Sequence, residues 1–205
     1  MTSRGRDRGA DLHAGKVIAV DIDDTLNDFT QTLRRTPFPY HPRYALPEAT
    51  FHEYLAGIRD GAPEPSDLLS TAYLALRFKI HEECYRIAIA RTDGVEFMKW
   101  LRDDDWRIVI CTRRDLRRVG DSTKEWLAAH RIPFDYMFSA LNKIAFCQAW
   151  HISLLVDDEA NSIEFGPRYG VRVFYPASAH GPAAPAGARG FGVFDEVKRW
   201  IRESR

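Results

Sequence analysis

Four short apolar runs rich in β-branched residues constrain this chain more than any other feature: Lys16–Val20, Arg107–Thr112, Ser153–Asp157 and Val171–Tyr175. Runs of this kind, without polar alternation, suit strands buried on both faces. A weaker run lies near Asp135–Phe138. Helical patterns stand among them at Gly94–Asp103, Ser122–His130, Lys143–His151 and Asn161–Tyr169. A last helix over Phe194–Glu203, apolar at 194, 197, 200 and 201, closes the chain. Strands alternating with helices of about ten residues predict an α/β fold with a parallel, doubly wound sheet.

One stretch breaks this rhythm. From Asn27 to Arg91 the chain carries Pro37, Pro39, Pro42 and Pro47, then helical patterns over Pro47–Ile58, Ser66–Phe78 (after the start signal Pro65-Ser66) and Ile80–Ala90. At about 65 residues it is far longer than an ordinary connection. It is expected to be a helical cap over residues 28–91, inserted into a core formed by 16–27 and 92–205. Residues 1–15 are Arg-, Asp-, Gly- and Ser-containing without hydrophobic period and predict a mobile tail. Ala177–Gly192, rich in Ala, Gly and Pro, predicts a loop. A length of 205 residues suits one main domain.

Twenty-nine basic residues balance twenty-nine acidic ones, so no net field draws the chain to duplex nucleic acid or to an anionic membrane. No apolar run approaches the roughly 20 residues that span a bilayer. The N-terminal segment is polar, and the expected location is cytoplasmic. Cys84, Cys111 and Cys147 lack metal spacing and are odd in number, which predicts buried reduced thiols.

Candidate chemistry gathers where strands end, the edge at which open α/β sheets bind ligands. In Asp21-Ile22-Asp23-Asp24-Thr25-Leu26, two carboxylates two residues apart follow the first run. Like charges so close repel unless a cation lies between them. Thr112 ends the second strand, followed by Arg113, Arg114 and Asp115. Its hydroxyl and nearby N–H groups suit a phosphate oxygen, though they suit a helix start equally well. Lys143 opens a helix, where an ammonium can face both carboxylates and phosphate. Asp157-Asp158 end the third strand, an oxygen-donor pair suited to Mg²⁺. Taken singly, each also fits a turn, a cap or a surface. Taken in order, on one sheet edge, they form a set.

That order resembles the haloacid dehalogenase superfamily, whose four motifs are a strand-terminal Asp-x-Asp, a strand-terminal Ser or Thr, a Lys, and a strand-terminal acidic pair. The resemblance covers about residues 16–202. Within it, DIDDTLNDF at 21–29, STKEWLAAHRIPFDY at 122–136 and NKIAFCQAWHISLLVDDEANSI at 142–163 are most similar to the cytosolic 5'-nucleotidase and 5'(3')-deoxyribonucleotidase-like branch. The resemblance implies a Mg²⁺-dependent phosphomonoesterase with Asp21 as nucleophile, forming an aspartyl phosphate, and Asp23 as acid–base. It implies a metal held by Asp21, the Asp23 backbone carbonyl and Asp158, with Asp157 either behind these ligands or as an alternate one. Thr112, Lys143 and Arg113 would bind the substrate phosphate, and Arg113 and Arg114 could together grip it or equally well face solvent. The implied substrate is a nucleoside monophosphate, the alternative being a sugar phosphate or another small phosphorylated metabolite. A catalytically silent binding protein of the same fold is the rival from another class. Phe29, Phe38 and Tyr40 are candidates for stacking on a base or for packing the cap on the core.

Overall fold

The computed structural model describes residues 16–44, 46–61, 70–177 and 185–204. The expected tail over 1–15 and the Pro65-Ser66 start signal lie outside the described residues. In chain order the elements are β1 (Val17–Val20), α1 (Phe29–Arg35), α2 (Glu48–Asp60), α3 (Ser70–Ile87), α4 (Thr92–Asp103), β2 (Arg107–Thr112) and α5 (Leu116–Ala129). Then come β3 (Tyr136–Ser139), α6 (Lys143–Ala149), β4 (Leu154–Val156), α7 (Ala160–Phe165), β5 (Arg172–Pro176), β6 (Ala188–Phe191) and α8 (Phe194–Glu203).

The strands form one sheet in the order β3-β2-β1-β4-β5-β6, every neighbouring pair parallel. Side chains alternate along a strand, and β1 shows what that does here. Ile18 and Val20 face a core that includes Phe97 of α4, Trp126 of α5 and Phe194, Val197 and Ile201 of α8. Val17 and Ala19 face the other side, against Ile144 and Cys147 of α6 and Ile163 of α7. Helices therefore cover both faces, and the central strands β1 and β4 are apolar and buried at every position. The apolar stripe of α8 meets the sheet as its spacing predicts, with Trp200 half-buried against Phe174.

Because the chain leaves β1 toward β2 on one side and β4 on the other, the carboxyl ends of these three strands flank a crevice. Asp21, Thr112 and Asp157 stand at those ends.

Between β1 and α4 lie α1, α2 and α3 with an apolar core of their own, including Leu33, Phe51, Leu55, Leu76 and Ile80. Gly61 ends α2 in the left-handed region at φ 69°, which a Cβ would disfavour. Two adjacent segments connect this insertion to the sheet. Arg91 N donates to Leu26 O at 2.8 Å, and Asp28 N to Ile89 O at 3.1 Å. The Asp28 carboxylate takes a further bond from Ile89 N at 2.7 Å.

Several expectations need correction. Residues 188–191 are not loop: β6 pairs with β5 in the register Val173↔Ala188 to Pro176↔Phe191. Ala-Arg-Gly-Phe has little intrinsic strand preference, and the vacant edge of β5 decides its conformation. The two helices expected over Ser66–Phe78 and Ile80–Ala90 are one helix through Lys79, while residues 62–69 lie outside the described residues. Helix α1 was not foreseen. Helix α5 begins at Leu116, well before Ser122, with a break at Val119 (φ −119°, ψ 15°) that joins two helical pieces. The pattern over Asn161–Tyr169 is α7 followed by a 3₁₀ turn, Gly166–Tyr169. Among the described residues no helix is long and apolar enough to cross a membrane.

Candidate active site

Asp21 leaves the end of β1 still tied into the sheet, its N–H donating to Val156 O at 2.9 Å. The chain then turns. Asp24 takes the left-handed region at φ 56°, which aspartate tolerates better than most residues, and its carboxylate accepts the N–H of Thr30 at 2.8 Å and the Thr30 hydroxyl. The turn is thereby sewn to the first turn of α1.

Lys143 lies in the first turn of α6, capped by the Asn142 side chain accepting from Ala145 N. Only 2% of it is exposed. Its Nζ donates to Asp157 Oδ1 at 2.6 Å and lies 3.1 Å from Asp21 Oδ2 and 3.6 Å from Glu159 Oε2. Asp158 Oδ1 accepts from the buried Thr25 hydroxyl at 3.4 Å. Asp21, Asp157 and Asp158 each offer an oxygen within 4.8 Å of the others.

Asp21, Asp157 and Glu159 thus face one ammonium with Asp158 close by, and the proton affinities of the three aspartates record the imbalance. Burial raises Asp21 well above the usual carboxylate range; Lys143 pulls the other way, while Asp157, Asp23 and Asp158 add repulsion. Burial also raises Asp157. Asp158 is pushed up to about 7 by burial and then by Asp157. Desolvation works against the Lys143 ammonium, but Asp21, Asp157 and Glu159 outweigh it and hold the charge firmly. Two buried oxygens, Asp21 Oδ1 and Asp157 Oδ2, have no hydrogen-bond partner. Surplus negative charge with orphaned oxygen donors is what a hard divalent cation satisfies, so these residues fit Mg²⁺.

Thr112 is fully buried at the end of β2, its Oγ accepting from Arg114 N at 3.3 Å. The two arginines that follow differ in their surroundings. Arg113, expected on substrate phosphate, donates to Glu159 Oε1 at 2.6 Å, with 58% of its side chain exposed. Arg114 does not face solvent, although it borders the same cleft as Asp23. It is buried, with Nε donating to Asp23 Oδ2 at 2.9 Å and Nη2 to Asp23 Oδ1 at 2.6 Å. Its Nη1 donates to the Thr123 hydroxyl at 3.2 Å. The guanidinium carbon lies 4.0 Å from the ring centroid of Tyr85. Asn27 Nδ2 adds a third donor to Asp23 at 3.2 Å.

Asp23 lines a cleft of about 540 Å³ between the insertion and the sheet edge, together with Phe29, Phe78, His81, Tyr85 and Arg118. Phe29 stands 5.2 Å from His81 and 5.1 Å from Tyr85, ring to ring. Burial, then Arg77, lowers His81 to about 4, so its ring is neutral at neutral pH. Of the three aromatic candidates, only Phe29 reaches this cleft; Phe38 and Tyr40 pack within the insertion. A hollow of about 480 Å³ between α6 and α7 touches Lys143 but none of Asp21, Asp23, Asp157 and Asp158.

Sequence reasoning missed Thr25, Asn27, His81 and Tyr85. Thr25 acts through Asp158, far away in sequence, and His81 and Tyr85 stand in the insertion, whereas Asn27 binds Asp23 only four residues before it.

No family model matches the sequence, and no curated protein matches it. Solved structures do. A haloacid dehalogenase-like hydrolase from Streptococcus pneumoniae matches with TM-score 0.61 and 14% identity over 91% of this chain and 98% of that one. An L-2-haloacid dehalogenase matches with TM-score 0.59 and 15% identity over 91% and 98%. D,D-heptose 1,7-bisphosphate phosphatase from B. bronchiseptica, complexed with magnesium and phosphate, matches with TM-score 0.52 and 12% identity over 93% and 100%. A dehalogenase and a phosphatase stand side by side among these three, and no nucleotidase does. Likeness at such identities establishes architecture and leaves the chemistry to the site. With its six parallel strands, flanking helices and acidic strand ends, the chain has the haloacid dehalogenase-like fold.

Proposed function

We propose that this chain is a cytoplasmic Mg²⁺-dependent phosphomonoesterase acting through an aspartyl phosphate on Asp21, with residues 28–91 serving as its cap. The observation that carries this reading is one juxtaposition. Asp21 is buried against Lys143 with one carboxylate oxygen unpartnered, and Asp23, two residues on, borders the adjoining cleft. A nucleophilic carboxylate followed by an acid–base carboxylate is phosphatase chemistry. A dehalogenase has no leaving oxygen to protonate.

In the first step an Asp21 oxygen attacks phosphorus, forming the acyl phosphate bond as the bond to the leaving oxygen breaks. Asp23 gives that oxygen its proton. In the second step Asp23 takes a proton from water, whose oxygen attacks the same phosphorus and frees Asp21 and inorganic phosphate. Lys143 and Thr112 hold phosphoryl oxygens, because positioning and electrostatic stabilisation do most of the work in this transfer. Asp21, Asp157 and Asp158, with the Asp23 backbone carbonyl, would hold Mg²⁺, which supplies neutralising charge to the phosphoryl group.

For the substrate we infer a nucleoside monophosphate. The cleft has the volume of a small-ligand site, and the rings of Phe29, Phe78, His81 and Tyr85 offer faces for a base. The test is phosphate release by the purified protein from nucleoside monophosphates, sugar phosphates and an aryl phosphate, each with Mg²⁺ and with excess EDTA. EDTA-sensitive release, fastest from the nucleotides, is expected. Preference for sugar phosphates would overturn the substrate assignment alone, and release from none would overturn the phosphatase.

A further inference from the structure

We propose that Arg114 is the positioning residue for Asp23, and that Tyr85 of the insertion holds Arg114 in that task; the proposal rests on the phosphomonoesterase reading. A guanidinium offers five N–H donors in a rigid plane, and the way they are used here is specific. One edge of the fork meets both oxygens of Asp23, at 2.9 and 2.6 Å. The remaining Nη1 is tied to Thr123, itself fully buried in α5. One face lies on the Tyr85 ring, at 4.0 Å.

An arginine with none of its side chain exposed cannot swing aside without stranding a charge, so its carboxylate partner is held too. Three elements far apart in sequence meet at this one group: the turn after β1, helix α5 and helix α3. A bidentate pair specifies orientation as well as distance, which a single hydrogen bond does not. Asp23 has a demanding geometric task, because an acid–base group must reach first the leaving oxygen and then the water on one phosphorus. Tyr85 belongs to the insertion and lines the cleft. Docking of α3 against the sheet edge and the setting of Asp23 are thus one packing event: where α3 is out of place, Arg114 loses its aromatic face and Asp23 its fixed direction.

The test uses the dependence of rate on the leaving group, which a merely structural role does not move. An aryl phosphate departs with little help from an acid, whereas a nucleoside monophosphate or simple alkyl phosphate needs the proton. In Arg114→Gln the alkyl ester is expected to lose roughly 10²-fold or more in kcat/KM, within the range that acid–base groups supply. The aryl ester should lose about tenfold or less in its first step. Rapidly quenched protein should then carry a phosphoryl group on the Asp21 peptide, since water activation also suffers. Arg114→Lys keeps the charge but not the fork and should recover only part of the ratio. If Arg114→Gln does not fold, Tyr85→Leu carries the test from outside the buried pair: the same skew toward the aryl ester is expected, smaller, with Tyr85→Phe closer to the wild-type ratio. Equal losses on both esters in every folded variant would overturn the positioning role while wild-type turnover keeps the phosphatase reading standing. A wild type without Mg²⁺-dependent turnover of either ester would overturn that reading, and this proposal with it.

Discussion

The buried cluster at the sheet edge and the wall of the neighbouring cleft are built on opposite terms. On the sheet side, Asp21, Lys143 and Asp157 are almost wholly buried, charged and paired with one another. On the insertion side, Phe29, Phe78, His81 and Tyr85 present rings on helices, and Phe78 is 42% exposed under the Arg118 guanidinium. A buried charge cluster tolerates no slack: every unpaired oxygen is costly, so the geometry is set before substrate arrives. An aromatic wall is permissive, because ring faces bind by area and adapt to what lies against them. Under the proposed function, chemistry falls to the sheet edge and selection to the insertion.

The largest expected effect breaks the sheet side. Asp21→Asn keeps the shape and removes the nucleophile, so turnover should fall by roughly 10⁴-fold or more, as removal of a nucleophile does elsewhere. Phosphoenzyme should vanish with it, and circular dichroism should be unchanged. Label appearing on any peptide but the one containing Asp21 would reassign the nucleophile.

Next in size is Asp23→Asn. Loss of about 10² to 10⁴ is expected for esters with poor leaving groups. An activated aryl phosphate should give a burst of one phosphoryl group per chain followed by slow hydrolysis, read by stopped-flow and by quenched mass spectrometry. A burst-free, uniform loss would show that Asp23 acts in neither step.

Mg²⁺ sharpens the comparison without chemistry, because only the charged wall should sense it. Asp158 has a folded-state value of about 7 against 3.8 for the free side chain, so the folded protein keeps a proton that the unfolded chain has released. That contribution to stability is complete below pH 3.8 and is lost as pH rises through about 7. Mg²⁺ selects the ionised carboxylates, so its stabilisation should grow over the same window. At a hundredfold excess over Kd it is worth about 2.7 kcal/mol, or about 5–10 °C in Tm for a chain of this size. The shift should be clear at pH 8, small at pH 5, and absent at both in a variant with Asp158→Asn and Asp157→Asn. A shift independent of pH would place the cation elsewhere.

The smallest effect belongs to the permissive wall. Phe78→Ala removes a partly exposed ring and its cation–π contact with Arg118, an interaction worth about 0.5–1 kcal/mol at such sites. KM for a nucleoside monophosphate should rise a few-fold while kcat stays within about twofold, and steady-state kinetics will separate the two. A fall in kcat as large as that of Asp23→Asn would erase the division between the walls.

What the sequence settles on its own, and what it does not, follows the same division. The parallel strands β1, β2, β4 and β5 were legible because strands covered by helices on both faces read as near-continuous apolar runs, and such runs announce themselves locally. Asp21, Asp23, Thr112, Lys143, Asp157 and Asp158 were legible as candidates because each stands at the end of such a run or the start of a helix, positions readable from a few neighbouring residues. The edge strand β6, the continuous α3 and the early start of α5 were decided by tertiary packing, which outweighs weak local preference. The clearest case is Arg113 and Arg114, adjacent residues of one type. Sequence offered both to a phosphate or to solvent alike; the fold gives the first to Glu159 at the surface and buries the second between Asp23, Thr123 and Tyr85. Nothing within either residue distinguishes them. Only the neighbours do, and those come from three elements that sequence order keeps far apart and the packed fold brings into contact.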